Sequence, residues 1–345
     1  MKRARLFVLG VCVSLGGWSV GAHALNAGQV AIIVNTQDPL SVSIGDYYAA
    51  QRRILFQNII KISFTPGHSV MTREEFQRVK ESVDSQVQPQ VQAYALTWAA
   101  PYRVDCMSIT TAFAFGFDPE FCAESCRPTR QNPYFNSAAR LPYAQMRMRP
   151  SMAIAATTLE DAKALIDRGV ASDDSRPSGS AYLLSTSDNA RNVRVKLYPP
   201  AGQVRSDVTR VDVRRIKQDS ISNRKDVLFF FIGKEKVDGL ETLQFLPGAI
   251  ADHLTSFGGR LTDSEQMSAL RWLEAGTTGS FGAVVEPCNM TEKFPHPAMV
   301  MARYLRGETL IEAYWKSVLM PGQGIFIGEP LAAPFRGPPK RASGH

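Results

Sequence analysis

LPGAIADHLTSFGG (residues 246–259) and GSFGAVVEPC (residues 279–288) decide how this chain folds. Each is a short apolar run bounded by glycine or proline, the pattern of a strand buried within a sheet. The segment between them, residues 263–275, has helical spacing. Two apolar strands joined by one helix form a β-α-β unit, whose crossover makes the strands parallel. The same stretch holds Asp252, His253, Ser256, Glu286 and Cys288, the chain's densest set of reactive side chains.

Working outward, the rhythm repeats. Residues 29–35 (QVAIIVN), 59–64 and 91–98 read as strands, with helices between them over 41–53 and from the Thr72/Glu75 capping box to about residue 87. Strands at 151–156 and 181–185 follow, with a helix between them capped by Thr158 and stopping at Gly169. A helix is expected near 190–197. VLFFFIG (227–233) is apolar throughout and should lie centrally, covered on both faces. Helices over 298–306 and 310–319 and a last strand and turn, GIFIGEPL (324–331), complete the pattern. The fold class is therefore α/β, a three-layer structure with a mainly parallel sheet. Residues 101–148, rich in cysteine, proline and aromatic residues, read as an insertion over one edge or face, between an N-terminal part (25–100) and a C-terminal part (149–333). The tail 334–345 reads as frayed.

Residues 1–24 have the form of a secretory signal: Lys2, Arg3 and Arg5, an apolar run, and Ala22-His23-Ala24 as the cleavage site. The expected product starts near Leu25, is periplasmic or extracellular, and keeps no membrane-spanning segment. Its formal charge falls from +7 to +4, because three positive charges leave with the signal. That mild balance argues against a nucleic-acid partner. The most basic segment, RVDVRRIK (210–217), alternates with Val211, Val213 and Ile216, as in a half-exposed strand. Cys106, Cys122, Cys126 and Cys288 remain after cleavage, and an even number in an oxidising compartment favours disulfides. The connectivity stays open: Cys122–Cys126 leaving Cys106 and Cys288 free or paired, or Cys106 joined to Cys122 or Cys126. No C-x-x-C and no cofactor motif occurs, so neither a metal nor a cofactor is expected.

In parallel sheets ligands gather at the carboxyl ends of strands. Three chemistries could use the 246–288 set there. His253 could be the general base for the Cys288 thiol. Ser256 could be the nucleophile, with Asp252 or Glu286 orienting His253. Asp252 and Glu286 could work as a carboxylate pair. Each residue also has a plain reading: His253 as a hydrogen-bonded structural group, Cys288 as a disulfide partner, Ser256 as a turn residue, and Glu286-Pro287 as the strand exit.

VAIIVNTQDPLSVSIGDYYAAQRRI, SITTAFAFGF, GAIADHLTSFGGRL, WLEAGTTGSFGAVVEPC, YLRGETLIEAYWKSV and FIGEPLAAPF, in that order, resemble an uncharacterised exported bacterial family found in genomes with the exosortase protein-sorting system. The resemblance implies an accessory of envelope, exopolysaccharide or sorting biology, with exported proteins or envelope polymers as partners. More remotely, the closing blocks are similar to gingipain-type and caspase-like cysteine peptidases. That similarity implies a caspase-like C-terminal half and a peptidase-like hydrolase, with His253 as base and Cys288 as nucleophile. In a second alignment Ser256 takes the nucleophile position.

Overall fold

The computed structural model describes residues 24–123, 126–206 and 209–337. Of the expected signal, residues 1–24, all but Ala24 lies outside the described residues, as does the tail beyond 337. The strands are β1 (Val30–Asn35), β2 (Ile59–Ile62), β3 (Val70–Met71), β4 (Ala93–Leu96), β5 (Arg103–Val104), β6 (Met107–Ser108) and β7 (Ser151–Ala153). They continue with β8 (Gly179–Leu184), β9 (Gly202–Ser206), β10 (Thr209–Ile216), β11 (Val227–Gly233), β12 (Phe245–Leu254), β13 (Gly279–Ala283) and β14 (Gly324–Gly328). The α-helices are α1 (Pro39–Arg52), α2 (Arg73–Gln86), α3 (Ile109–Phe115), α4 (Pro142–Met146), α5 (Leu159–Ser172), α6 (Leu270–Glu274), α7 (Pro297–Leu305) and α8 (Leu310–Trp315).

Eleven strands form one sheet in the order β2-β1-β4-β7-β14-β13-β12-β11-β8-β10-β9, and β3, β5 and β6 form a small second sheet. The large sheet is α/β and mostly parallel, as the apolar runs imply. Its two halves, however, run in opposite directions. β2, β1, β4, β7 and β14 are mutually parallel; so are β13, β12, β11, β8 and β10; the halves meet in the antiparallel pair β13/β14. The chain reaches the seam last, by returning through β14.

Local chemistry sets the elements. Thr72 and Thr158 cap α2 and α5, accepting from the backbone nitrogens of Glu75 and Asp161 at 3.1 Å each. β11 is buried at all seven positions, which suits a strand with parallel neighbours on both sides. In β10, Val211 and Val213 are buried while Arg210, Arg214 and Arg215 are exposed, the half-exposed strand that the basic segment suggests.

Several expectations are corrected. The helix expected over 263–275 is only Leu270–Glu274, because Ser264 Oγ and Ser268 Oγ donate to the Phe257 and Leu261 carbonyls and hold the preceding backbone in turns. Residues Asn192–Leu197 form a 3-10 helix. Pro334 and Phe335 are buried, Phe335 packing edge-on against Tyr304 at 5.9 Å, so the start of the expected tail belongs to the packed fold. Two disulfides form, Cys106–Cys122 within the insertion and Cys126–Cys288 from the insertion to the chain beyond β13.

Candidate functional site

β12 and β13 are parallel, with Ile250 opposite Gly279. Successive strand residues face opposite sides of a sheet. Asp252 and His253 are neighbours in β12 and therefore belong to different layers. This excludes Asp252 as the group that orients His253.

On one face, Asp252 accepts from Arg194 NH2 at 2.5 Å, both side chains being almost fully buried. The Arg194 guanidinium lies 5.9 Å from the Phe231 ring centre and 5.7 Å from that of Phe294, and reaches the Pro295 carbonyl at 3.3 Å. Arg194 Nε and Asp252 Oδ2 have no hydrogen-bond partner among the described residues. Burial raises the Asp252 pKa, and Arg194 only partly opposes it.

On the other face, His253 is 1% exposed. Trp272 Nε1 donates to its Nδ1 at 2.9 Å, and its Nε2 lies 3.0 Å from the Met267 carbonyl oxygen. Indole N–H can only donate and a carbonyl can only accept, so the ring is the neutral tautomer with its proton on Nε2. Burial pushes its pKa down to about 4, outweighing the Met267 carbonyl. Nδ1, the lone pair a general base would use, is already occupied.

The strand end itself is covered. The backbone nitrogen of Gly259 donates to the Ala283 carbonyl at 2.8 Å, laying residues 257–259 across β13. A Cβ on Gly282 would come within 2.4 Å of the Gly258 backbone, and one on Gly259 within 2.5 Å of the Gly282 oxygen, so Gly259 and Gly282 are what let the loop settle there. Gln266 pins the loop further, its Oε1 accepting from Thr255 Oγ1 at 2.7 Å and from the backbone nitrogen of Phe257 at 2.8 Å. Ser256, half-buried, belongs to this loop.

Beyond the bend at residues 284–285, Glu286 Oε1 accepts from the Cys288 backbone nitrogen at 2.7 Å, and the Glu286 carbonyl accepts from Gln323 Nε2 at 2.5 Å. Cys288 is bonded to Cys126, so its sulfur is not a thiolate nucleophile. The bland readings of Glu286 and Cys288, a strand-exit acid and a disulfide partner, describe these contacts. The five expected residues thus divide among two faces, a covering loop and a disulfide-tied exit. Sequence reasoning missed Arg194, Trp272 and Gln266; a buried acid and a buried histidine each call for a partner, but nothing local says which residue supplies it. Lys293 was missed too. It is 1% exposed with no hydrogen-bond partner at Nζ among the described residues, and burial lowers its pKa to about 8 against the pull of Glu286.

No helix among the described residues is long and apolar enough to cross a membrane, and no group of three or more His, Cys, Asp or Glu among them could hold a metal ion. No protein-family model matches the chain, and no curated protein matches it. Among solved structures it is similar to the Arg-specific cysteine proteinase gingipain R (RgpB), with 11% identity, a TM-score of 0.42, and coverage of 89% of this chain and 78% of that one. It is also similar to the complex of Porphyromonas gingivalis RgpB pro- and mature domains, with 10% identity, a TM-score of 0.41, and coverage of 89% and 80%.

Proposed function

We propose that this chain is an exported protein that uses the α/β framework for binding or scaffolding rather than for hydrolysis. Its place is as an accessory of envelope, exopolysaccharide or exosortase-linked sorting biology. The observation that carries the non-catalytic reading is His253: almost fully buried, neutral, and committed at both ring nitrogens. The disulfides fit an oxidising compartment and thus export, and the sequence blocks above support the accessory role. The competing reading, a hydrolase using His253 with Cys288 or Ser256, needs a freed base and either a reduced Cys126–Cys288 bridge or an uncovered Ser256.

Alkylation of the native, unreduced protein followed by peptide mass mapping separates the two, together with a peptide-hydrolysis assay. The expected result is an unmodified Cys288 and no turnover. Rapid alkylation of Cys288, or peptide hydrolysis lost on His253→Ala, would overturn the scaffold reading.

A further inference from the structure

Leu25, the residue after Ala22-His23-Ala24, is not a loose end in this fold. It is 1% exposed, and its carbonyl accepts from Arg336 NH2 at 2.9 Å. Its backbone nitrogen donates to Glu312 Oε2 at 3.1 Å, across 287 sequence positions. Glu312 is also 1% exposed, and the same oxygen accepts from Thr309 N at 3.0 Å and Thr309 Oγ1 at 2.6 Å. The capping box of α8 explains the two Thr309 contacts but not the one from Leu25.

Capping supplies no charge either. Glu312 makes no ion pair among the described residues. Of the nearby cations, Arg303 and Lys316 pair with another acid, Glu308, at 3.0 and 3.1 Å, while Arg336 touches a neutral carbonyl, that of Leu25. A carboxylate held this deep without a counter-charge is expensive. The one atom already touching it that could become a cation is the nitrogen of Leu25.

We propose that Glu312 is the docking site for the α-ammonium group released when the Ala24–Leu25 peptide bond is hydrolysed. Water adds across that bond: Ala24 keeps the new carboxylate, and Leu25 keeps the amine, which takes up a proton at neutral pH. A single amide N–H facing Glu312 thereby becomes a cation with three donors, and a hydrogen-bonded buried carboxylate with no ion pair among the described residues becomes half of one. Removal of the leader then stabilises the product as well as freeing it. This rests on the export reading, and it assigns Glu312 a role that the reading does not contain.

The groups facing the new amine are Glu312, Arg336 and, beside Glu312, the buried Tyr134 hydroxyl, whose pKa is raised by burial first and by Glu312 and Glu308 next. Glu312 pulls the amine's pKa up while burial and the Arg336 guanidinium pull it down; docking requires the Glu312 pairing to win, so that the added stability is complete below the unfolded value of about 7.7–8.0 and fades as pH rises through the folded value.

Two purified forms test this: one made from a fusion whose protease leaves Leu25 first, the other identical but beginning at His23. The form with a free Leu25 amine should melt higher by about 2–4 °C at pH 6–7, and acetylating that amine, or raising the pH above its folded pKa, should erase the gap. Glu312→Gln should lower the Leu25 form more than the His23 form. Equal melting of the two wild-type forms overturns the proposal. So does an equal loss from Glu312→Gln in both; if that variant does not fold, acetylation of the wild-type amine decides. N-terminal sequencing of the protein from its natural host is expected to begin at Leu25. A different mature start overturns the docking proposal and leaves export intact, whereas a chain retained whole in the cytoplasm overturns both.

Discussion

Two buried carboxylates, Glu329 just after β14 and Asp252 within β12, meet an arginine in different ways. Glu329 is fully buried and takes both arms of Arg52, from Nε at 2.9 Å and from NH2 at 2.5 Å, while Arg52 NH1 reaches Asp173 beyond α5. Asp252 takes one bond from Arg194 and leaves one oxygen bare. Burial, the largest single influence, lowers the Arg52 pKa, yet Glu329 together with Tyr48 and Asp173 outweighs it and lifts that pKa above the usual arginine range; at Asp252 burial wins and the acid shifts up. A bidentate fork makes a buried charge a fixed structural part, whereas a single bond leaves it under strain from desolvation. The fork sits at the seam of the two half-sheets and ties α1, the end of α5 and the β14 exit together. Gly169 leaves room for it: a Cβ there would come within 2.5 Å of the Glu329 side chain.

Replacing Arg52 with Met would break this contrast most severely. It strands Glu329 and should cost about 3–5 kcal/mol, read as a lower urea midpoint at unchanged slope. A loss below about 1 kcal/mol would mean the fork is incidental.

Acid should then act through the other half-sheet. His253 is held neutral with its pKa lowered to about 4 from 6.5, so its contribution is complete above pH 6.5 and is lost as pH falls toward 4, by as much as about 3 kcal/mol. Asp252, with its pKa raised, works in the opposite direction, since protonating it favours the fold. The acid loss should therefore shrink in His253→Gln, leaving that of His296, whose pKa burial also lowers, and an unchanged pH slope in that variant would remove His253 as the cause.

Asp252→Asn should cost about 2 kcal/mol by leaving Arg194 uncompensated, whereas Asp252→Leu combined with Arg194→Met should come back to within about 1 kcal/mol of the parent. If the double variant is as weak as the single one, the pair is as well matched as the Glu329 fork and the contrast fails. The smallest effect expected is from Trp272→Phe, about 1 kcal/mol for one lost hydrogen bond, together with a rise in the His253 pKa measurable by NMR titration.

Much of this was legible in the residues. Thr72 and Thr158 announced their helices because a cap acts over three positions, and VLFFFIG announced a central strand because burial on both faces leaves no polar position. His253 and Asp252 were legible as a pair of polar groups in an apolar strand, and the alternation that separates their side chains was available too. What could not be read was who answers them. Arg194 lies 58 positions from Asp252 and Trp272 lies 19 from His253, with no local periodicity linking them.

The sequence by itself determined the kind of elements, the apolar strands, the mainly parallel class and the even set of cysteines, all of which depend on composition and spacing within a few residues. Only the tertiary structure decided that the half-sheets run in opposite directions, that Cys288 joins Cys126, that a glycine loop closes the β12 end, and that Leu25 lands on Glu312. Those facts join positions up to 287 apart. They are settled by which arrangement buries the most apolar surface while leaving the fewest charges and polar groups unanswered, a property of the whole chain rather than of any stretch of it.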